Sequence, residues 1–199
     1  MLEKDPLQNY PSPEERAAIP GELLITRDDF QSEAVDDLLE ALRTIYANGK
    51  AAFVSFFIDP HPILDYFAAR DQLDEQQFWT KILSSPLLLD HLPWLGAGYA
   101  GSLDERFLPL SPYYFDGDLA QTLMKGGAYR RFSGMAAEAK ELGLRFCADV
   151  FDNRFDEVLL RKSKDAWAEW FMVGPWDNTW LGLDRRARRL WLLCATDTD

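Results

Sequence analysis

Residues 170–199 read WFMVGPWDNTWLGLDRRARRLWLLCATDTD, and the way this run pairs decides the fold. TWLGLD (179–184) and RRLWLLCA (188–195) are apolar runs on either side of a polar turn at Arg185 to Ala187, the pattern of a β-hairpin. Just upstream, AWAEWFMV (166–173) sets Trp167, Glu169, Phe171 and Val173 against Ala168, Trp170 and Met172, and GPWDN then interrupts it as a loop. Together the three runs predict an antiparallel meander. Trp167, Trp170, Trp176, Trp180 and Trp191 fall on these strands and their loop, where aromatic pairs contribute about 0.2–1 kcal/mol per cross-strand pair. A packed sheet accounts for most of the rings. Trp167 and Trp170 differ in parity, so one of them is expected to point away from the main core. That ring needs a cover, from the N-terminal helices and arm or from another molecule.

Before the meander, LRFCADVF (144–151) also alternates, with Leu144, Phe146, Ala148 and Val150 opposite Arg145, Cys147 and Asp149, and predicts another strand once a helix stops at Gly143. That helix, or a pair broken at Gly126-Gly127, is drawn from Leu119, Leu123, Phe132, Met135, Ala136, Ala139 and Leu142, with Asp118 and Gln121 as its capping pattern. Residues 96–117 carry Gly and Pro throughout and read as a long irregular loop. PILDYFAARD and DEQQFWTKILSS read as short helices, the second capped by Asp74 with Gln77, and Pro86 and Pro93 bracket a further apolar turn. AAFVSFFI (51–58) reads as a buried central strand. Val35, Leu38, Leu39, Leu42, Ile45 and Tyr46 recur at helical spacing, between a Ser32 cap and a left-handed exit at Asn48-Gly49. Residues 1–25, punctuated by prolines, read as an extended arm along the surface. The expected fold is therefore a single α+β domain over 1–199. Its helix-rich N-terminal two-thirds packs on a mainly antiparallel sheet built from the C-terminal third plus the strand near 51–58.

With 199 residues, 47% of them hydrophobic and 14% aromatic, the chain has enough apolar surface to offset its ordering entropy. Its formal net charge of -12 repels nucleic acid and anionic lipid and attracts cationic partners. AAFVSFFI falls far short of the about 20 residues that span a bilayer, and MLEKDPLQNYPSPEER lacks the apolar stretch of a secretory signal. The expectation is a cytoplasmic protein with no membrane, nucleic-acid or cofactor partner. Oligomeric state is not legible in the sequence. Cys147 and Cys194 are too few for a disulfide framework and read as buried thiols on neighbouring strands, able to bridge only if those strands pair.

No motif names a reaction. GAGYAG (96–101) matches a dinucleotide-binding string, but Pro109 and Pro112 forbid the helix that must follow it, and a flexible loop is the better reading. DPHP brings Asp59, His61 and then Asp65 to the end of a strand, the best candidates for catalysis, with Asp104, Glu105, Asp116 and Asp118 as possible companions. His91 beside Asp90 has no stronger claim. TDTD gathers Asp197 and Asp199, the candidate metal ligands, although their position after an apolar strand also suits Asp197 to a structural role. RRARR (185–189) reads as a solvated turn facing Asp184, Asp197 and Asp199 rather than as a nucleic-acid patch.

The composition favours an acidic protein-binding module, an inhibitor or immunity-type protein that masks a basic partner through Trp170, Trp176, Asp177, Trp180, Asp116 and Asp118. The alternatives are a carboxylate- or metal-dependent hydrolase, which needs Asp59, His61 and at least two of the companion acids in one cleft, and a carbohydrate or small-ligand binder stacking on exposed Trp faces.

Overall fold

The expected hairpin is the middle of the molecule. In the computed structural model, which describes residues 10–73, 77–96 and 102–199, β5 (Asn178–Asp184) and β6 (Arg189–Thr196) pair antiparallel with Leu181 opposite Leu192 and Asp184 opposite Arg189. β2 (Lys50–Ile58) lies against the far side of β6, Ala52 opposite Cys194, and β1 (Ile25–Asp28) lies outside β2. On the other flank β4 (Val158–Ser163) pairs with β5, and β3 (Leu108–Leu110) forms the edge. The order is β1-β2-β6-β5-β4-β3 with every neighbouring pair antiparallel. The α-helices among the described residues are α1 (Pro13–Glu22), α2 (Glu33–Ile45), α3 (Pro62–Ala68), α4 (Phe78–Leu83), α5 (Pro86–Leu89), α6 (Phe115–Lys125) and α7 (Ala136–Phe151). This is an α+β fold, and no helix among the described residues is long and apolar enough to cross a membrane.

Period two sorts the strand side chains into two cores. Leu190, Leu192 and Cys194 of β6, Leu181 and Leu183 of β5, and Val54, Phe56 and Ile58 of β2 face one layer. That layer contains α1, α3, α4, α5 and the 166–171 segment. Trp191, Leu193, Ala195, Trp180 and Ala51 face the other, built from α2, α6 and α7. Helices therefore cover both sheet faces, and every residue of β5 is buried. The question of which tryptophan needs a cover is answered within the chain: Trp180 and Trp191 lie under α6 and α7, while Trp167 and Trp170 fill the opposite layer.

The helix at α2 forms as its spacing dictates, with Ser32 Oγ accepting from the Val35 N–H at 3.2 Å. Its exit differs from the expectation. Neither Asn48 nor Gly49 has positive φ. Glycine is needed at 49 because a Cβ there would run into the Thr196 carbonyl.

Several segments depart from the sequence reading. The arm is not extended throughout, since Ser12 and Glu15 form a capping box with Pro13 at the first helical position, and the helix α1 buries Ile19. The loop 96–117 contains β3, a 3-10 turn at Pro112–Tyr114 and the start of α6. Within GAGYAG, residues 97–101 lie outside the described residues, as does Asp74 of the expected cap of α4. Gln77 makes no side-chain cap; Asp104 reaches in from a distant loop and accepts from Trp79 N at 3.3 Å and Thr80 N at 3.0 Å.

The largest correction is at 144–151, which is the second half of α7 and not a strand. Buried Ala139, Gly143, Phe146, Cys147, Val150 and Phe151 form one helical stripe. Gly143 does not end the helix. It lets α7 approach α6, because a Cβ there would lie 2.5 Å from the Asp116 carbonyl oxygen. AWAEWFMV is likewise not a strand. Trp167, Ala168, Trp170 and Phe171 are all buried, a spacing no strand face can satisfy, and the segment runs as an irregular cover. The third strand of the meander is β4, VLLRKS.

Candidate functional site

Most of the catalytic candidates have structural partners of their own. His61 caps α3, its Nδ1 accepting from the Leu64 N–H at 3.4 Å. Asp59 is exposed where β2 ends. Asp65 holds Arg188 through both carboxylate oxygens at 2.8 and 2.9 Å. Asp104 is occupied in capping α4, and Asp116 pairs with Lys140 between α6 and α7. His91 packs beside the Phe56 ring, with centroids 6.0 Å apart. Among the described residues no group of three or more His, Cys, Asp and Glu is placed to hold a metal ion.

The candidate ligands at the chain's end differ in burial. Asp197 is buried and accepts from Asn48 N at 3.1 Å and Ala128 N at 2.9 Å, tying β6 to the α2–β2 turn and to the loop after α6. Asp199 is exposed.

The binding candidates lie largely inside. Trp170 is 8% exposed and meets Trp94 edge-on at 5.1 Å. Trp180 is fully buried, and its Nε1 donates to Asp118 at 2.7 Å. Asp118 is therefore an interior acceptor shared with Lys162 Nζ at 2.8 and 2.6 Å, and not the cap of α6, which begins at Phe115. Asp177 is buried and accepts from the Gly174 N–H at 3.1 Å and from the Thr196 hydroxyl. Only Trp176 of this group presents a partly exposed ring. These rings do not form an exposed stacking platform.

Arg185, Arg188 and Arg189 of the 185–189 turn are also tied down, though to acids other than those expected from the sequence, while Arg186 is exposed. Arg188 holds Asp65, Arg189 Nε donates to Asp28 at 2.7 Å, and Arg185 lies 3.7 Å from Glu157. Asp184 instead binds Arg154.

The thiols are on opposite sides of the sheet, Cys147 on α7 and Cys194 on β6, so they remain free. Burial pushes both up to about 12 from 9.0. A raised folded value means the protonated thiols contribute fully to stability below pH 9.0, and that contribution is lost as pH rises towards about 12. Ellman-type labelling at pH 8 is expected to proceed only as fast as the protein unfolds. Rapid labelling of the native chain would contradict the burial.

What remains on the surface is charge. Glu33, Asp36, Asp37 and Glu40 recur along the outer side of α2, opposite the buried Val35, Leu38, Leu39 and Leu42. α7 lies alongside, contributing Glu141 and Asp149, and Ser32 Oγ donates to Asp149 at 2.6 Å across the helix pair. Arg145 pairs with Asp37, and the fields of Asp37, Glu33 and Glu141 help to raise its pKa. The sequence reading missed this face because it placed Arg145 and Asp149 on a strand. A helical wheel over 136–151 would have found it. No protein-family model matches the chain, and neither a curated protein nor a solved structure does, so its function must be read from its own residues.

Proposed function

We propose that this protein is an acidic binding module that masks a basic protein partner, in the manner of an inhibitor or immunity protein. The observation that carries the reading is the acidic face of α2 and α7, where the exposed carboxylates at 33, 36 and 40, beside the Asp37–Arg145 pair, line one side of a helix in a chain of net charge -12. Fixed like charges on a rigid surface speed encounter with a cationic surface and discriminate against anionic ones. The interior position of the tryptophans moves the proposed contact from the aromatic residues to this helical face.

The test is co-expression with products of neighbouring genes, followed by stopped-flow association at two salt concentrations. The association rate with a basic partner is expected to fall about tenfold or more between low and physiological salt. Reversing Glu33, Asp36 and Glu40 to Lys is expected to slow association with little effect on dissociation. A salt-independent rate, or the absence of any basic partner among those products, overturns the reading.

A further inference from the structure

Between the end of α6, the end of β4 and the 175–178 loop lies a cavity of about 60 Å³ whose charged lining is wholly cationic: Lys125, Lys162 and Lys164. One water needs about 10–15 Å³ by the same measure, so the space holds several waters or one small polyatomic anion. The polar floor is buried. Tyr46 is 2% exposed and Asn178 7%, and the Asn178 side-chain amide donates to the Tyr46 hydroxyl at 3.5 Å and to the Trp176 carbonyl at 2.9 Å. That leaves the Tyr46 proton with no acceptor among the described residues. Burial holds this phenol protonated far above its ordinary pKa, so it serves as a donor.

We propose that this cavity is a phosphate-binding site, in which Lys125 and Lys164 supply charge, Lys162 and Tyr46 donate hydrogen bonds, and Trp176 offers a ring to whatever the phosphate carries. The cation chemistry is compatible with that anion. All three cations are ammonium groups, compact charges with rotatable donors that can approach the several oxygens of a tetrahedral oxyanion from different directions. Lys162 gives protons to both oxygens of Asp118, and one of its three donors remains. Lys125 and Lys164 have no ion-pair partner among the described residues.

Three carboxylates lie nearby. Asp118 is paired with Lys162 and accepts from Trp180, whereas Asp177 and Asp197 accept from the neutral groups of Gly174 and Thr196 and of Asn48 and Ala128, so their charges still act on Tyr46 and the charges of Lys125 and Lys164 must outweigh them. The carbonyl end of α6 carries partial negative charge, which Lys125 at its last residue offsets. The Lys162 pKa is lowered first by burial and also by repulsion from Lys164 and Lys125, a repulsion that a bound dianion relieves.

The source of the phosphate is resolved by two arms: inorganic phosphate and phenyl phosphate, each titrated at ionic strength matched with sodium chloride. Intrinsic Trp fluorescence and the Asn178 side-chain amide resonances are followed. Saturable changes with at least one phosphate probe are expected, and binding about tenfold or more weaker in the Lys125→Gln/Lys164→Gln double variant. Both lysines are exposed, so near-UV circular dichroism should show the variant folded. Tyr46→Phe should weaken binding as well. Tighter binding of inorganic phosphate identifies the free ion as ligand, and tighter binding of phenyl phosphate identifies a phosphate monoester seated on Trp176. No saturable response beyond chloride, or equal affinity in the folded double variant, overturns the site.

Discussion

Asp184→Ala is expected to lower the free energy of unfolding by about 3 kcal/mol, at the lower end of what loss of one partner of a buried ion pair costs. The carboxylate is fully buried at the end of β5 and serves four donors: Arg154 Nε at 3.2 Å and Nη2 at 2.7 Å, and the turn amides of Arg186 at 3.0 Å and Ala187 at 2.8 Å. Removing it orphans the β5–β6 turn and half-frees the Arg154 guanidinium. The lower end applies because the Arg154 side chain is 24% exposed and also pairs with Asp152, so water and a second acid take up part of the loss. Asp184→Asn retains an oxygen for the turn amides and should cost clearly less. Urea denaturation of both variants, with Arg154→Ala completing a double-mutant cycle, separates turn from ion pair. Equal costs for Asn and Ala would show that the turn hydrogen bonds contribute nothing.

The second large effect is expected at Trp191. Its ring lies among Phe115 at 5.8 Å, Phe146 at 6.0 Å and Phe151 at 6.1 Å, with Phe53 stacked at 6.2 Å, and Trp191→Ala should cost about 3–5 kcal/mol. Trp191→Phe should cost much less, because the indole Nε1 is a buried donor without a partner among the described residues, and deleting an unsatisfied donor offsets part of the lost area. Gly182, directly opposite on β5, admits that indole, since a Cβ there would collide with its Cζ2 and Cε2 atoms. Gly182→Ala should therefore destabilise by about 1–3 kcal/mol in the native background and by less beside Trp191→Phe. Thermal melts of the two single variants and the double variant test this, and additive costs would refute the steric coupling.

These two sites mark the limits of the sequence reading. The hairpin that contains Asp184 was legible, because two apolar runs around a charged turn admit one local solution. The indole's need for a glycine was not, since Gly182 and Trp191 are opposed only through strand register. The acidic residues of α2 were readable as a helix face, whereas their continuation on α7 depended on recognising 144–151 as helix. The lysine cavity was not legible at all: Tyr46, Lys125, Lys162 and Asn178 come from four separate segments.

The amino-acid order alone determined the α+β class, the helix after Ser32, the strand at 51–58 and the closing hairpin, because each has a local signal: a cap, a continuous apolar run, or a turn between apolar runs. Only the tertiary structure decided whether 144–151 is helix or strand. Its spacing satisfies both periods over so short a span, and burial against α6 at Gly143 selects the helix. It also decided which acids stay on the surface. Asp104, Asp118, Asp184 and Asp197 found distant donors and became structural, while Glu33, Asp36 and Glu40 on the outer side of α2 remained facing water.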